Sequence, residues 1–253
     1  MFKNQIHTAF TWKSSLDWFL LAFLAGNVNT GGYLACQRFV THVTGFSTLA
    51  GIDLAAGKWD GAIGLLSVPL FFILGVMISA YNIDRRHHLG LRPRYAMVMA
   101  LVTTCLLIAT LCGYLGFFGT FGEVSHLKND FVLLALLCMA SGLQNAAITT
   151  ASGATIRTTH LTGVTTDLGI GIMRAHFPYE GESSAHHHQE VRANLLRVGT
   201  IFSFMIGSAI GAALFVRLHF LGFLLPTAVA SYAMCVAYFT TEVRVTPSGT
   251  SIA

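Results

Sequence analysis

The sequence predicts an all-α integral membrane protein with about six transmembrane helices, two short re-entrant helices and two inverted-topology repeats. Hydrophobic residues make up 54% of the 253 residues and charged residues only 10%, against about 25% charged in soluble proteins. The mean hydropathy is +0.64. Several apolar runs are long enough to cross a hydrocarbon core about 30 Å thick. In addition, the pattern Thr-His-x-Thr-Gly occurs twice. A soluble domain is excluded because the chain lacks the residues for a polar surface.

Six apolar runs are expected to span the membrane. They cover residues 15–35, 62–82, 95–117, 131–150, 199–217 and 219–239. The last two runs abut at Arg217-Leu218-His219, where a turn is expected. Residues 82–94, the histidine-rich loop 174–197 and the tail after Thr240 are polar and are expected to lie in water.

Two further apolar segments, 44–57 and 162–173, are too short to span. Segments of this length are typical of re-entrant or interfacial helices. Each begins at Thr-Gly, and a threonine at that place is expected to cap the helix.

The chain divides into a first repeat, 1–120, and a second repeat, 121–253, each with three spans and one short helix. Thr41-His42-Val43-Thr44-Gly45 matches Thr159-His160-Leu161-Thr162-Gly163 at a shift of 118 residues. Upstream, Gly26-Asn27-Val28-Asn29 matches Gly142-Leu143-Gln144-Asn145. Downstream, Gly75 matches Gly207. The first span and its counterpart carry so many polar and glycine residues that we expect broken or cavity-lining helices.

Lysine and arginine placement favours inversion of the second repeat, because positive residues concentrate in cytoplasmic loops. With three spans in each half and the N-terminus inside, eleven of the fifteen basic residues lie on the cytoplasmic side. If the short segments crossed the membrane, the split would be about seven to eight. Both termini are therefore expected in the cytoplasm.

Inverted repeats bring equivalent segments together near the bilayer midplane. We therefore expect a shared substrate site in which two helix N-termini, each with about half a positive charge, favour an anion or the negative end of a polar solute. Histidines there would allow proton coupling. The expected substrate-binding residues are Asn29, Thr41, His42, Thr44, Gly45, Gln144, Asn145, Thr159, His160, Thr162, Gly163 and Asp167. Taken singly, each of these residues is more typical of a cap or of interhelical packing.

Metal and cofactor sites are weakly indicated. His176, His186, His187 and His188 could bind a divalent metal, but adjacent histidines in a loop have no preset geometry, and a solvated loop is the favoured interpretation. The five cysteines form no C-x-x-C pair and are expected to pack in the core. No cofactor is expected, and the modest net charge of +4 comes from loop arginines rather than from a nucleic-acid surface.

The motifs resemble those of the YoaK-like family of bacterial inner-membrane proteins, or domain of unknown function 1275, over nearly the whole chain. Ala25-Gly26…Asn29, residues 39–45, Ser141-Gly142-Leu143-Gln144-Asn145 and residues 157–169 carry the resemblance. The first half departs from the family pattern, which commonly has aspartate at Asn29 and asparagine at Phe46. The resemblance implies a multi-pass protein of the bacterial inner membrane and supplies no activity.

The leading hypothesis is a small permease, secondary transporter or channel for a small polar or anionic solute. Its expected partners are the lipid bilayer and this solute, and a homo-oligomer is compatible with the sequence. A membrane enzyme using His42, His160 and Asp167 as acid–base groups is the alternative, and it is less favoured because no nucleophile or metal signature accompanies them. A non-transporting sensor or assembly protein is the third hypothesis, for which the motif residues would be packed beside no cavity.

Overall fold

The structure, a computed structural model, describes residues 12–123, 127–153, 158–177 and 184–242, and these parts of the chain are helical with no strand. The predicted all-helical fold is confirmed. The helices are α1 Trp12–Cys36, α2 Val43–Ala55, α3 Trp59–Asn82, α4 Asp84–His88, α5 Tyr95–Tyr114, α6 Leu127–Ala151, α7 Leu161–His176, α8 Ser184–Leu218 and α9 Leu224–Glu242, and a 3₁₀ turn His219–Phe223 joins the last two.

Within the described residues, five helical stretches are long and apolar enough to cross a membrane. They are Ser15–Cys36, Gly61–His88, Tyr95–Tyr114, Asp130–Ala151 and His187–Thr240. The last stretch is 54 residues long because the 3₁₀ turn joins α8 and α9 without a non-helical break. The turn expected between the spans 199–217 and 219–239 coincides with His219, whose φ is +52°.

The surfaces of the long helices carry large apolar side chains. On α3, Ile63, Leu70 and Met77 are all more than 60% exposed. They recur at intervals of seven residues, which places them on one face of the helix. A face of this kind is compatible with contact to lipid.

The predicted loop 174–197 is wrong over much of its length. Helix α7 continues to His176, and α8 begins at Ser184. No glycine or proline occurs between Ser184 and Val198, so nothing interrupts the first turns of α8. The Arg197 guanidinium binds both the Glu190 carboxylate, at 2.8 Å, and the Asn194 side chain, at 2.6 Å, on this polar part of the helix.

The expectation of broken helices is also wrong, since α1 and α6 are continuous. Their glycines serve helix packing instead. A Cβ atom at Gly26 would collide with the backbone carbonyl of Phe204 in α8, and one at Gly207 would collide with that of Phe23 in α1. Small residues permit such close contact between helices.

The same arrangement occurs where α3 crosses α6. A Cβ atom at Gly142 would collide with the carbonyl of Phe72, and one at Gly75 would collide with that of Met139. The first helix of each half therefore packs against a helix of the other half. The short helices occupy matching places too, because α2 packs on α3 and α7 packs on α8.

Candidate functional site

The first Thr-His-x-Thr-Gly segment folds back onto the end of α1. Asn29 Oδ1 accepts hydrogen bonds from the Thr41 hydroxyl at 2.8 Å and from the Thr41 backbone N–H at 3.3 Å. Both side chains are buried. Val40 lies against Gly32, where a larger residue would not fit. Asn29 and Thr41, which the sequence places in one site, are thus brought together as a hydrogen-bonded pair.

In the second half, the residues aligned with Asn29 and Thr41 are Asn145 of α6 and Thr159, which are 7% and 1% exposed. Among the described residues, neither Asn145 Oδ1 nor the Thr159 hydroxyl has a hydrogen-bond partner, and the same is true of the neighbouring Thr158 hydroxyl. Leaving a buried polar group unpaired costs about 1–3 kcal/mol. The aligned positions of the two halves therefore share residue types but not hydrogen bonds.

Each segment contacts a helix of the other half. The Cys138 thiol of α6 donates to the Val40 carbonyl at 3.1 Å. The ring of Phe72 in α3 meets the His160 ring edge-on, with their centroids 6.4 Å apart. Phe72 also lies at the α3–α6 crossing. The two segments, one from each half of the sequence, therefore both contact the helices that form this crossing.

His42 and His160 immediately precede α2 and α7. Burial lowers the pKa of His42 below its usual 6.5, and electrostatic repulsion from His160 lowers it further. Phe39 covers one side of His42, with the ring centroids 5.4 Å apart. The two histidines are thus close enough to influence each other's charge, and neutral His42 is favoured.

The threonine caps expected at Thr44 and Thr162 are wrong. Both residues lie inside the first helical turns and are exposed, and the cap positions are His42 and His160. Neither cap residue makes a side-chain hydrogen bond to its helix. The reason is that each helix begins one residue before its threonine, so the hydroxyl lies past the position from which a cap bonds the first amides.

The glycines of the two motifs are open. A Cβ atom at Gly163 would meet nothing within 4 Å, and one at Gly45 only the Cβ of His42, at 3.9 Å. Space beside the first motif forms a cavity of about 230 Å³. Its lining residues are Tyr33, Gln37, Arg38, Phe39, Gly45, Phe46 and Leu49.

Two of the expected site residues lie elsewhere. The buried Gln144 side chain of α6 donates a hydrogen bond to the Leu21 carbonyl of α1 at 2.6 Å. Gln144 therefore joins two helices. Asp167 is exposed on α7, one residue after Thr166, whose hydroxyl bonds the Thr162 carbonyl. Asp167 therefore points to the surface of α7.

The structure adds two features that the motifs did not indicate. Thr158 is fully buried, and its aligned position in the first half is Val40. Extending the comparison of the repeats by one residue beyond Thr-His-x-Thr-Gly would have shown this additional threonine. Arg38, Asp53 and Asp130 line a small cavity of about 60 Å³. Asp53 and Asp130 belong to different halves of the chain, and nothing in their sequence spacing connects them.

The histidine-rich region forms no metal centre in the described parts of the chain, where no group of three or more His, Cys, Asp or Glu side chains could hold an ion. His187 and His188 lie in α8 with ring centroids 6.0 Å apart. His176 packs against Phe177 at 5.8 Å. The side chain of His186 lies outside the described residues.

Comparison with known proteins identifies the family. Residues 18–237 match the model of the family described as "Protein of unknown function (DUF1275)", and this match covers most of the chain. The chain belongs to this family, which confirms the resemblance to domain of unknown function 1275. No curated protein and no solved structure matches the chain.

Proposed function

We propose that this member of the DUF1275 family is a small permease of the inner membrane that moves a small polar or anionic solute between its two Thr-His-x-Thr-Gly segments. The protein would have six spans in two inverted halves, with both termini in the cytoplasm. Helices α2 and α7 would re-enter the membrane from opposite sides.

The helix crossings support the inverted arrangement. Gly26 and Gly207 bring α1 against α8, and the aligned residues Gly142 and Gly75 bring α6 against α3. In both halves, the first helix packs against a helix of the other half. An approximate two-fold axis that relates the two halves produces this arrangement. The concentration of basic residues on one side favours an axis in the membrane plane.

The observation that carries the proposal is that each segment contacts the other half. Val40, the residue directly before the first segment, accepts a hydrogen bond from Cys138, and His160 of the second segment packs on Phe72. Because His160 also affects the charge of His42, the two segments share one electrostatic environment although they are 118 residues apart.

The chemistry of this meeting point suits a polar or anionic solute. Helices α2 and α7 begin here, and their first amides receive no side-chain cap from His42 or His160. Such amides and the helix dipole favour negative charge. The open space around Gly45 and Gly163 would leave room for a solute to approach these amides.

Uptake into proteoliposomes tests the proposal. The purified protein is reconstituted and offered chloride, formate, hydrogencarbonate, glycine, glycerol and urea separately, and wild type is compared with His42→Ala and His160→Ala. We expect flux of at least one solute to fall at least tenfold in both variants. His87→Ala is the matched control, because His87 is exposed on α4, and it should keep wild-type flux.

Two outcomes would reject the permease. One is an absence of flux above empty liposomes for every solute, which would favour a sensor or assembly protein. The other is a solute flux that neither histidine substitution changes, which would place the pathway away from these segments.

A further inference from the structure

We propose that the two motifs have different roles: the second motif binds the solute through Asn145, Thr158 and Thr159, and the first motif is an internally bonded support. This inference rests on the proposed permease and names the half that recognises its solute. It also specifies a solute that carries a hydrogen-bond donor and an acceptor in the same molecule.

In the first motif, the acceptor oxygen of the asparagine and the hydroxyl proton of the threonine are already used. The Oδ1 atom of Asn29 already accepts two hydrogen bonds from Thr41, one at 2.8 Å from its hydroxyl. The preceding residue, Val40, is apolar, and its carbonyl accepts from Cys138. A solute that takes the Thr41 hydroxyl proton or the Asn29 oxygen for itself would have to displace a hydrogen bond that holds the segment on α1.

The second motif retains the capacity that the first has used. Asn145 Oδ1 and the hydroxyls of Thr158 and Thr159 are more than nine-tenths buried, and none has a partner in the described part of the chain. Thr158 stands where the first half has Val40, so this half carries an additional buried hydroxyl. Among the described residues, Asn27 and Ser79 also have an unpaired buried oxygen, and at the second motif two unpaired hydroxyls lie on adjacent residues.

Thr158 and Thr159 lie just before α7, a helix of 16 residues. Asn145 of α6 is aligned with Asn29, which in the first half binds the matching threonine, Thr41. Thr159 directly precedes the cap residue His160, whose side chain does not bond the first amides. The helix start offers N–H donors and the threonine hydroxyls can donate or accept, whereas Asn145 Oδ1 can only accept. A ligand that satisfies all of them therefore needs acceptor oxygens for the helix and a donor for Asn145.

The required chemistry excludes a simple halide, which would leave Asn145 Oδ1 unpaired. It also disfavours a bare cation, because the N-terminal end of a helix is positive. Small zwitterions such as glycine and protonated oxyanions such as hydrogencarbonate meet both conditions. These two classes share the same contacts and serve as separate probes below.

A stability comparison tests the difference in roles without a ligand. We expect Thr41→Val to lower the melting temperature in detergent by about 2–4 °C or more, because Asn29 loses a partner. Thr158→Val and Thr159→Val should leave it unchanged or raise it, because each removes an unpaired buried hydroxyl. Thr104→Val is the control, since its hydroxyl lies on an exposed part of α5 and bonds only its own helix at Ala100.

A melting temperature that falls as much in Thr159→Val as in Thr41→Val overturns the proposal. That result would mean the second motif also holds a structural hydrogen-bond network, for example through a buried water.

Uptake then tests the ligand class. In proteoliposomes we expect glycine or hydrogencarbonate flux to exceed chloride flux at least tenfold, and Thr158→Val and Thr159→Val to reduce that flux at least tenfold. Thr104→Val should keep the wild-type rate. Chloride flux equal to that of both donor-bearing probes overturns the ligand class while the permease stands. Absence of all flux rejects the permease. In that case the melting temperatures still show whether Thr158 and Thr159 of the second motif make structural hydrogen bonds.

Discussion

The two halves of the chain use the same device where helices cross and different devices where the motifs lie. At the α1–α8 and α3–α6 crossings, aligned glycines admit the backbone of a helix from the other half. At the motifs, Asn29 binds Thr41, whereas Asn145 and Thr159 have no such bond in the described residues. A backbone contact between helices requires glycine in both halves. A pair of polar side chains, in contrast, can be hydrogen-bonded in one half and unbonded in the other.

The largest effect is expected at the crossings. Gly26→Ala and Gly142→Ala each place a Cβ atom against a backbone carbonyl, which cannot move away as a flexible side chain can. Each substitution should reduce the free energy of unfolding by about 3 kcal/mol, measured by circular dichroism in mixed micelles with rising dodecyl sulfate. A similar loss in both variants supports equivalent crossings, and a loss at one glycine alone would break the equivalence.

Double-mutant cycles should sharpen the contrast between the motifs. Asn29→Ala combined with Thr41→Val is expected to show a coupling energy of about 0.5–3 kcal/mol, because the two side chains share hydrogen bonds. Asn145→Ala combined with Thr159→Val should show a coupling near zero. The same unfolding assay gives both cycles. Equal couplings in the two cycles would mean that the motifs do not differ.

The pH dependence of stability should report the meeting of the two motifs. The pKa of His42 is lowered in the folded protein, so the unfolded chain takes up a proton more readily. The stability that neutral His42 supports is present above pH 6.5 and is lost as the pH falls through that value toward the lower pKa of the folded state. We expect His42→Gln to flatten the fall in melting temperature between pH 7.5 and 5, and His160→Gln to flatten it partly.

His87→Gln is the control for this measurement and should keep the wild-type slope. If His160→Gln leaves the slope unchanged, then the two histidines do not influence each other and the motifs do not share an electrostatic environment.

The smallest effect is expected at glycines that contact nothing. Gly51 in α2 and Gly169 in α7 are aligned between the halves, and a Cβ atom at either position would meet no other atom within 4 Å. Alanine is the better helix former, so Gly51→Ala and Gly169→Ala should each stabilise the protein by up to about 1 kcal/mol. Destabilisation at either position would indicate a contact that the isolated chain does not contain, such as a second copy or an ordered lipid.

Much of the fold follows from local sequence. The run 131–150 is found within α6 and the short segment 44–57 within two residues of α2, because apolar length and helix-forming residues act locally. The run 95–117 ends early, at Tyr114, where Gly116 adopts a φ of +79°; this conformation is typical of the residue after a helix. The prediction of a loop over residues 174–197 is wrong because polar residues do not by themselves indicate a loop, and many of these residues are good helix formers.

The sequence by itself determined the family, the helical class and the apolar length of the helices, because these depend on composition and on residues close together in the chain. It also showed which residues recur in the two halves. Only the tertiary structure decided which recurring residues differ in their contacts. Whether Asn29 and Asn145 are bonded depends on the placement of a threonine at least 12 residues away, and identical residue types allow either state. The two Thr-His-x-Thr-Gly segments are thus alike as sequence and unlike in their hydrogen bonds.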